Sequence, residues 1–155
     1  MATVSKSLPK APRHILRFMM QVSSIIITFN EEDRIAETVA SLGFCEEILV
    51  VDSGSTDRTC EIAVACGARV LTQEWAGYSD QKNYAADNAT HDWVFSVDAD
   101  ERPSLQLANE IIQWKLNDSK SEAIACSMPR RAWYLDRWIN HSGWYPDRKI
   151  RLYDR

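Results

Sequence analysis

The sequence has few of the features that mark secreted, membrane-spanning or phosphate-loop proteins. Its four cysteines form no C-x-x-C pair and no cluster with histidine, so neither a disulfide framework nor a zinc site is predicted. The longest apolar run, SIIITF, is strand-sized and far short of the ~20 residues of a membrane span. The five glycines form neither a dinucleotide fingerprint nor a P-loop. A phosphate-bearing ligand would therefore have to be held by side chains or by a metal ion.

Charge is distributed unevenly along the chain. Residues 1–20 contain four basic and no acidic residues, residues 21–126 contain seven basic and nineteen acidic residues, and residues 127–155 contain seven basic and three acidic residues. We therefore expect a basic N-terminal arm, an acidic main domain and a basic C-terminal segment with these boundaries. The acidic domain and the lack of a recognisable module disfavour nucleic-acid binding.

The basic arm, residues 1–20, allows two interpretations. Its apolar stretch lies among lysines and arginines and suits an anionic membrane surface, whereas its first dozen residues equally suit a solvated tail. Arg17 interrupts the apolar stretch and no small-residue cleavage site follows it. A secretory signal is therefore not expected.

Apolar strands alternate with amphipathic helices from residue 22 onward. VSSIIITF, EILVVD, ARVL and WVFSVD are predicted strands, each followed by a helix, the last two of which are expected near residues 79–89 and 104–114. Near-continuous apolar strands are typical of a parallel sheet with both faces covered. With 45% hydrophobic residues the chain can fill such a core. The predicted fold class is therefore α/β.

Polar residues and one glycine predict where the first two helices begin and end. Asn30 is expected to cap the first helix, because its side chain can accept a hydrogen bond from a free backbone amide. Ser55 or Thr56 is expected to cap the second helix in the same way. Gly67 is expected to end that helix, since glycine readily adopts the left-handed conformation of a C-terminal cap.

Three predicted strands end in polar side chains: Thr28 with Asn30, Asp52 with Ser53, and Asp98 with Asp100. In open α/β sheets, ligands bind beyond the carboxyl ends of the strands. In an extended segment, Asp98 and Asp100 would leave the chain on the same side and repel unless one binds a proton or a cation lies between them. Mg²⁺ or Mn²⁺ fits such oxygen ligands, so the predicted ligand is a metal-bound diphosphate.

Each of these acidic residues also has a purely structural interpretation. A single D-x-D pattern is weak, because aspartate is common after strands as a turn former or cap. Asp52 could form an Asx turn, and Asp57 could be a first-turn charge on its helix. Three polar strand ends in succession nevertheless favour a site at one edge of the sheet.

Four segments together resemble the family 2 glycosyltransferases of GT-A fold: SIIITFNEEDRIAETVASL, EILVVDSGSTDRTCEIA, GYSDQKNYAADNATHDWVFSVDADE and PRRAWYLDRWINHSGWYPDRKIRLYDR. The resemblance covers residues 22–155 and is strongest to the lipopolysaccharide inner-core β-1,4-glucosyltransferase-like branch. It implies a Rossmann-like, mainly parallel mixed sheet with helices on both faces. It also implies inverting transfer of a sugar from a nucleotide-diphosphate donor, with UDP-glucose as the first candidate, and a divalent metal, Mg²⁺ or Mn²⁺.

The resemblance assigns the donor side of the site by position. Residues 21–126 become the nucleotide-sugar-binding domain, in which the end of the first strand borders the nucleotide through Thr28, Asn30 and Glu32. Asp52 matches the acid that contacts the base, with Ser53 beside it. Lys82 matches a basic position near the donor, although it also fits an ordinary exposed helix lysine. Asp98 matches the acid nearer ribose and metal, and Asp100 the principal metal ligand.

The C-terminal segment, residues 127–155, interleaves arginines with aromatic residues. Aromatic faces stack on sugar rings, and arginines bind phosphate or carboxylate groups in bidentate fashion. A lipopolysaccharide-core acceptor would suit this surface, for which the candidates are Arg130, Arg131, Trp138, Trp144 and Tyr145. The alternative is that half of these aromatic residues pack a small core, as expected for Trp133 and Tyr153.

An inverting transfer requires a general base that deprotonates the acceptor hydroxyl. Asp147 is the first candidate and His141 the second; their structural alternatives are a turn aspartate beside Pro146 and a surface histidine. Chains of the family usually continue well beyond the last motif, and the acidic segment that should hold the base is expected there. The chain is therefore expected to be either a truncated enzyme or a catalytically incomplete module that binds a nucleotide sugar.

Two other enzyme classes share parts of this pattern. A haloacid-dehalogenase-type phosphatase also places D-x-D after an apolar strand, but it would have that motif near the N-terminus and followed by Thr or Val. A sugar-nucleotide pyrophosphorylase needs a Gly/Arg-rich loop after its first strand, where this chain has TFNEED. The preferred interpretation is a cytoplasmic glycosyltransferase with possible peripheral contact with the inner membrane.

Overall fold

The computed structural model describes residues 20–117 and 124–155. Eight strands are present: β1 (Val22–Thr28), β2 (Glu47–Asp52), β3 (Arg69–Thr72), β4 (Trp93–Asp98), β5 (Ala125–Arg130), β6 (Trp133–Tyr134), β7 (Arg137–Trp138) and β8 (Asp147–Asp154). The helices are α1 (Ile35–Ser41), α2 (Thr59–Ala65), α3 (Tyr78–Asp87) and α4 (Leu105–Asn117). All but the last residue of the predicted basic arm, Met20, lie outside the described residues. No helix in the described ranges is long and apolar enough to cross a bilayer.

Six strands form one sheet in the order β3-β2-β1-β4-β8-β5. The first four run parallel, whereas β8 is antiparallel to both β4 and β5. The sheet is therefore mixed and mainly parallel, as the sequence predicts. The remaining pair, β6 and β7, forms a separate hairpin.

Apolar side chains on the two faces of the sheet form two separate cores. Successive residues of a strand point to opposite faces, so Ile25 and Ile26 of β1 belong to different cores. One core joins the sheet to α1, α2 and α4, and the other joins it to α3. Both isoleucines are almost completely buried, and each such burial contributes about 1.5–3 kcal/mol. The prediction of helices on both faces is confirmed.

The register of the parallel strands brings their carboxyl ends to one edge. Thr28 of β1 lies beside Asp52 of β2, and Ile27 lies beside Asp98 of β4. The chain continues the ladder one step further, because the Ser53 amide donates to the Thr28 carbonyl over 2.9 Å. The polar strand ends predicted from the sequence therefore meet at the same edge of the sheet.

Two of the predicted helix caps are wrong. Asn30 adopts a left-handed conformation (φ 53°), and α1 begins only at Ile35 after an intervening turn. Likewise α2 begins at Thr59 and not directly after Ser55 or Thr56. The side chains of Asn30 and Ser55 instead accept hydrogen bonds from the neighbouring loop. The predicted stop at Gly67 is confirmed, since this glycine has a φ of 92° just beyond α2.

The β6–β7 hairpin is closed by an unusual pair of residues. Leu135 and Asp136 both have positive φ values, 48° and 56°, as a two-residue type I′ turn requires. Leucine rarely adopts this conformation, because its Cβ crowds the backbone. The Leu135 side chain is 72% exposed at the turn. The hairpin therefore presents an apolar tip to solvent.

Candidate functional site

Asp52, at the end of β2, organises the loop that follows it. Its carboxylate is 2% exposed and accepts hydrogen bonds from the amides of Gly54 (2.9 Å) and Ser55 (2.8 Å) and from the Ser55 hydroxyl. Gly54 has a φ of 94°, which a side chain would strain. The structural interpretation of Asp52 as an Asx-turn residue is therefore confirmed. Its contact with a nucleotide base stays a prediction.

The loops after β1 and β2 are tied together side by side. The Asn30 amide donates to the Ser55 hydroxyl over 2.8 Å, and the Asn30 side-chain oxygen accepts from the Thr56 amide over 2.9 Å. The Glu32 carboxylate accepts from the Arg58 amide over 3.0 Å. These bonds satisfy backbone groups that would otherwise face solvent and fix the two loops as one unit.

Asp57 completes this connection. Its carboxylate accepts hydrogen bonds from the amide and hydroxyl of Thr59, at the start of α2, and from the Glu32 amide over 3.2 Å. The pKa of Asp57 is lowered, because hydrogen bonds from Thr59 and Glu32 outweigh the opposing effect of desolvation. Asp57 therefore does more than place a negative charge beside the first turn of α2. It joins α2 to the loop after β1.

Thr28 and Ser53 lie beneath these loops. Thr28 is 5% exposed, and its hydroxyl has no hydrogen-bond partner among the described residues. The Ser53 hydroxyl accepts from the side-chain nitrogen of Gln81 over 2.8 Å. Gln81 is completely buried, and the same nitrogen also donates to the Gln73 carbonyl over 3.1 Å. Sequence reasoning missed Gln81, although a polar residue on the buried face of α3 was a usable signal.

Asp98, at the end of β4, is held by two cations. The Lys82 ammonium lies 2.7 Å from one carboxylate oxygen, and the Arg151 guanidinium lies 3.0 Å from the other. Burial raises the pKa of Asp98, but the hydrogen bonds from Lys82 and Arg151 outweigh it and keep that pKa below its usual value. Lys82 is therefore part of the strand-end cluster and not an ordinary exposed helix lysine. Its contact with a donor stays a prediction.

Asp100 does not share an extended segment with Asp98. Ala99 and Asp100 form a turn, in which the Glu101 amide donates to the Asp98 carbonyl over 2.9 Å. The expectation that both carboxylates leave the chain on one side, unpartnered, is therefore wrong. Asp100 is exposed and makes no hydrogen bond or ion pair with a described residue.

The fit of a divalent metal depends on these two carboxylates. Within residues 20–117 and 124–155, no group of three or more acidic, histidine or cysteine side chains could form a complete cage. Mg²⁺ and Mn²⁺ bound with a nucleotide need only one or two carboxylates, since phosphate and water oxygens supply the rest. The open carboxylate of Asp100 fits that kind of site, whereas Asp98 can contribute an oxygen only after it releases Lys82 or Arg151.

Arg151 and Glu101 extend the cluster and were missed as site residues. Arg151 bridges Asp98 and Glu101, and the Arg130 guanidinium lies 3.7 Å from Glu101. Arg130 also pairs with Asp147 over 2.7 Å. Charges thus alternate from the end of β4 across β8 to β5. The sequence could not reveal this, because the pairing depends on β8 entering the sheet between β4 and β5.

The two candidate bases occupy different surroundings. Asp147 is paired with Lys149 and Arg130, and both cations lower its pKa, which makes it a weaker proton acceptor. His141 lines an open cavity of about 290 Å³ whose other lining residues are Tyr134, Arg137, Trp138, Ile139, Ser142 and Trp144. The structure therefore does not favour Asp147 as a general base. Both assignments stay predictions.

The predicted acceptor residues form part of an aromatic surface. The Arg131 guanidinium lies 5.1 Å above the Trp138 ring, which also meets Trp133 edge-on at 5.1 Å. The Trp144 ring contacts Tyr134 at 5.6 Å. The tryptophans 133, 138 and 144 are each about half exposed, and Tyr145 is exposed as well. Arg130 lies apart from this aromatic surface, within the charged cluster.

Two core assignments in this segment have different outcomes. Trp133 was expected to pack a small core, but it is 55% exposed, so that prediction is wrong. Among residues 20–117 and 124–155, no second layer covers this side of the two-stranded hairpin. Tyr153 is packed, and burial raises its pKa, but it packs against the α3-side core of the main sheet and not in a separate small core.

Comparison with known proteins identifies the family of this chain. The model of the family described as glycosyl transferase family 2 matches residues 23–154. The chain belongs to glycosyl transferase family 2. The match includes the strand-end loops, the charged cluster and the aromatic hairpin, and the resemblance deduced from the sequence is confirmed.

Individual members of the family agree with this assignment. An uncharacterized glycosyltransferase of Rickettsia typhi is 45% identical over 94 residues, which are 60% of this chain and 32% of the relative. The lipopolysaccharide core biosynthesis glycosyltransferase LpsC of Rhizobium meliloti is 36% identical over 112 residues, covering 63% of this chain and 42% of LpsC. The chain therefore spans between about a third and two fifths of the length of these relatives.

A solved structure supports the fold. The crystal structure of mannosyl-3-phosphoglycerate synthase from Rubrobacter xylanophilus superimposes with a TM-score of 0.54 at 25% identity. The superposition covers 64% of this chain and 37% of that protein. The predicted GT-A architecture, a mainly parallel mixed sheet with helices, is confirmed.

Proposed function

We propose that this chain carries the donor-binding part of a glycosyltransferase that uses a nucleotide-diphosphate sugar. The observation that supports this most strongly is the meeting of three polar strand ends, from β1, β2 and β4, at one edge of the sheet. Ligands bind at this edge in open α/β sheets. Membership of glycosyl transferase family 2 then makes a nucleotide sugar the natural ligand.

The donor would be held mainly by the joined loops and by Lys82. In this proposal, Thr28, Asn30 and Glu32 border the nucleotide from the first loop, and Asp52 with Ser53 borders it from the second. The side chains of Asp52 and Asn30 are occupied with loop bonds, so they act mostly by fixing backbone groups in place. Lys82 is 31% exposed and could turn from Asp98 to a phosphate.

Asp98 and Asp100 would hold the divalent ion, Mg²⁺ or Mn²⁺. When bound, such an ion offsets the negative charge that develops on the departing diphosphate. Asp100 supplies an open carboxylate, whereas Asp98 must first release one of its two cations. The residues around the ion would hold the diphosphate in a fixed orientation. They would also offset part of its negative charge as it departs.

The proposed reaction is an inverting transfer. The oxygen of an acceptor hydroxyl forms a bond to the anomeric carbon, the bond from that carbon to the diphosphate breaks, and the hydroxyl proton passes to a base. We propose a lipopolysaccharide-core saccharide as acceptor, because the relative LpsC is a lipopolysaccharide core biosynthesis glycosyltransferase. The exposed Trp138 and Trp144 would stack on its rings, and Arg131 with Tyr145 would bind its polar groups. Such an acceptor places the protein at the inner face of a membrane.

One observation favours a second candidate, a module that binds the donor without transferring the sugar. Asp147 is held by Arg130 and Lys149, and its lowered pKa makes it a poor base. Such a module would bind a nucleotide sugar with metal but show no acceptor-dependent release of nucleotide. Donor binding and turnover should therefore be measured separately.

Calorimetric titration of UDP and UDP-glucose into the full chain tests the donor site. We expect binding with Mn²⁺, and at least tenfold weaker binding with EDTA or in Asp100→Ala, because the metal links the diphosphate to this carboxylate. Asp92→Ala is the matched control, since Asp92 directly precedes β4 at the opposite edge of the sheet.

The outcomes separate the proposals. Equal binding by wild type and Asp100→Ala in the presence of Mn²⁺ would contradict the metal site. Absence of binding for UDP and UDP-glucose, repeated with other nucleotide-diphosphate sugars, would contradict the donor site itself. Binding without nucleotide release on addition of a lipopolysaccharide-core saccharide would support the second candidate over the transferase.

A further inference from the structure

Two cations, Lys82 and Arg151, hold the carboxylate of Asp98, one on each oxygen. We propose that Arg151 makes divalent-metal binding at Asp98 conditional on a bound nucleotide diphosphate. This inference rests on the proposed function, because it concerns the same metal site. It assigns a role to a residue of β8 that the family motifs in this sequence do not single out.

Arg151 is fixed in position by the sheet and by two carboxylates. Its side chain is 12% exposed, and its guanidinium lies 3.0 Å from Asp98 and 2.5 Å from Glu101. The Glu101 carboxylate in turn accepts a hydrogen bond from the Asp98 amide over 3.3 Å. An arginine with this burial and a planar donor group loses much if it moves, because a buried charge would lose its partner. We therefore expect Arg151 to keep its ion pair with Asp98 when a nucleotide binds.

Lys82 is attached much less firmly. It projects from α3, its side chain is 31% exposed, and Asp98 is its one recorded ion-pair partner among the described residues. A lysine ammonium on a flexible four-carbon stem changes partners at small cost. Lys82 is thus the cation that a phosphate group can attract away. When it leaves, one oxygen of Asp98 becomes available while the other stays with Arg151.

The net charge of the side chains around Asp98 explains why a divalent metal would bind there only together with a nucleotide diphosphate. Lys82 and Arg151 together neutralise Asp98 and Glu101, so this group of four has no net charge to attract a divalent cation. Arg130, 3.7 Å from Glu101, is itself paired with Asp147 over 2.7 Å and leaves this balance unchanged. Coulomb repulsion from Arg151 therefore opposes a divalent ion beside Asp98. A diphosphate reverses this balance, since it adds negative charge and draws Lys82 away.

Titration of Mn²⁺ into the full chain without nucleotide tests the role of Arg151. We expect Arg151→Gln to bind Mn²⁺ about tenfold more tightly than wild type, because the fixed positive charge is removed while a polar side chain remains. Arg148→Gln is the matched control, as Arg148 lies on the same strand but bonds to Ser127 and not to Asp98. Adding Asp98→Asn to Arg151→Gln should abolish the gain.

Two further variants keep the inference testable if Arg151→Gln unfolds, which circular dichroism would reveal. Arg151→Lys retains the charge and should bind Mn²⁺ as weakly as wild type. The double variant Glu101→Gln/Arg151→Met lacks both members of the Arg151–Glu101 ion pair. This variant should bind Mn²⁺ more tightly than wild type. Wild-type affinity in every folded variant that lacks the Arg151 charge would overturn the inference.

A parallel titration with saturating UDP separates this inference from the proposed function. Tight Mn²⁺ binding by wild type with UDP, together with unchanged nucleotide-free binding in Arg151→Gln, would overturn the role of Arg151 alone. Failure of wild type to bind Mn²⁺ with UDP, with no gain in Arg151→Gln, would overturn the metal site and the inference together.

Discussion

Glu47 joins three parts of the sheet at the edge opposite the candidate site. Its carboxylate accepts hydrogen bonds from the Ser23 hydroxyl on β1, from the Arg69 guanidinium on β3 and from the amide and hydroxyl of Thr90 before β4. Burial raises the pKa of Glu47, but these hydrogen bonds outweigh it and lower that pKa to about 2. The ionised form is therefore strongly favoured in the folded protein.

Acid should destabilise the fold through this residue. The folded pKa of about 2 lies below the ordinary value of 4.5, so the contribution of Glu47 is present above pH 4.5 and is lost as pH falls toward 2. Glu47→Gln should lower the urea midpoint of unfolding at pH 7. Between pH 2 and pH 4.5, it should also reduce the number of protons taken up on unfolding by close to one. Urea titrations across pH check this, with Glu74→Gln as an exposed control. Parallel pH curves for wild type and Glu47→Gln would contradict it.

At the residue scale, the sequence predicted which side chains lie at the site. It did not predict which partners they would bind there. Asp52, Lys82 and Asp98 all lie at the expected edge. Their partners were not predictable, because Lys82 and Arg151 reach Asp98 from elements 16 and 53 residues away in the chain. A sequence pattern that marks a charge cannot show which distant charge neutralises it.

Asp57 is one of the residues that join the loops after β1 and β2 into one structural element. Asp57→Ala removes the acceptor for Thr59 and for the Glu32 amide, and it should loosen both loops. We expect lower thermal stability and several-fold weaker UDP binding in the presence of Mn²⁺, with Asp57→Asn in between. Calorimetric titration of UDP measures this effect, and Asp33→Ala is the control. Unchanged UDP affinity in Asp57→Ala would show that the joined loops do not hold the nucleotide.

Lys115 anchors α4 to the chain segment before β2. Its ammonium is almost completely buried, and it donates to the Phe44 carbonyl (2.7 Å) and to both oxygens of Glu46 (2.6 and 2.7 Å). Lys115→Ala should destabilise the protein by about 3 kcal/mol, because the buried acceptors lose their cation. Denaturant unfolding measures this loss. Glu46→Gln with Lys115→Met should recover part of it, and a smaller loss in Lys115→Ala than in the double variant would contradict this account.

At the scale of elements, periodicity predicted the four parallel strands and the approximate positions of α3 and α4, but not β5 to β8. The first helices were placed too early, because Asn30 and Ser55 were taken as caps when they actually bond across to the neighbouring loop. Such bonds connect residues about 25 positions apart, so local capping rules could not find them. The type I′ turn at Leu135 and Asp136 also carries no glycine or asparagine signal.

The whole molecule has two chemically different surfaces. The edge at the ends of β1, β2 and β4 is polar and charged, whereas the β6–β7 hairpin and the residues after it expose tryptophans, tyrosines and Leu135. Under the proposed function, the first surface would bind the donor and the second the acceptor. The composition favours such a division, since acidic residues dominate residues 21–126 and arginines with aromatic residues dominate residues 127–155. It could not predict that β8 would carry Arg151 from the second part into the donor edge.

Hydrogen–deuterium exchange of the full chain, with and without UDP and Mn²⁺, tests most directly whether the nucleotide binds at the strand ends. The account predicts slower exchange in residues 28–33, 53–59 and 98–101, because the ligand would order these loops. Residues 133–145 should exchange at the same rate with and without UDP. Protection confined to residues 133–145, with none at the strand ends, would contradict the account.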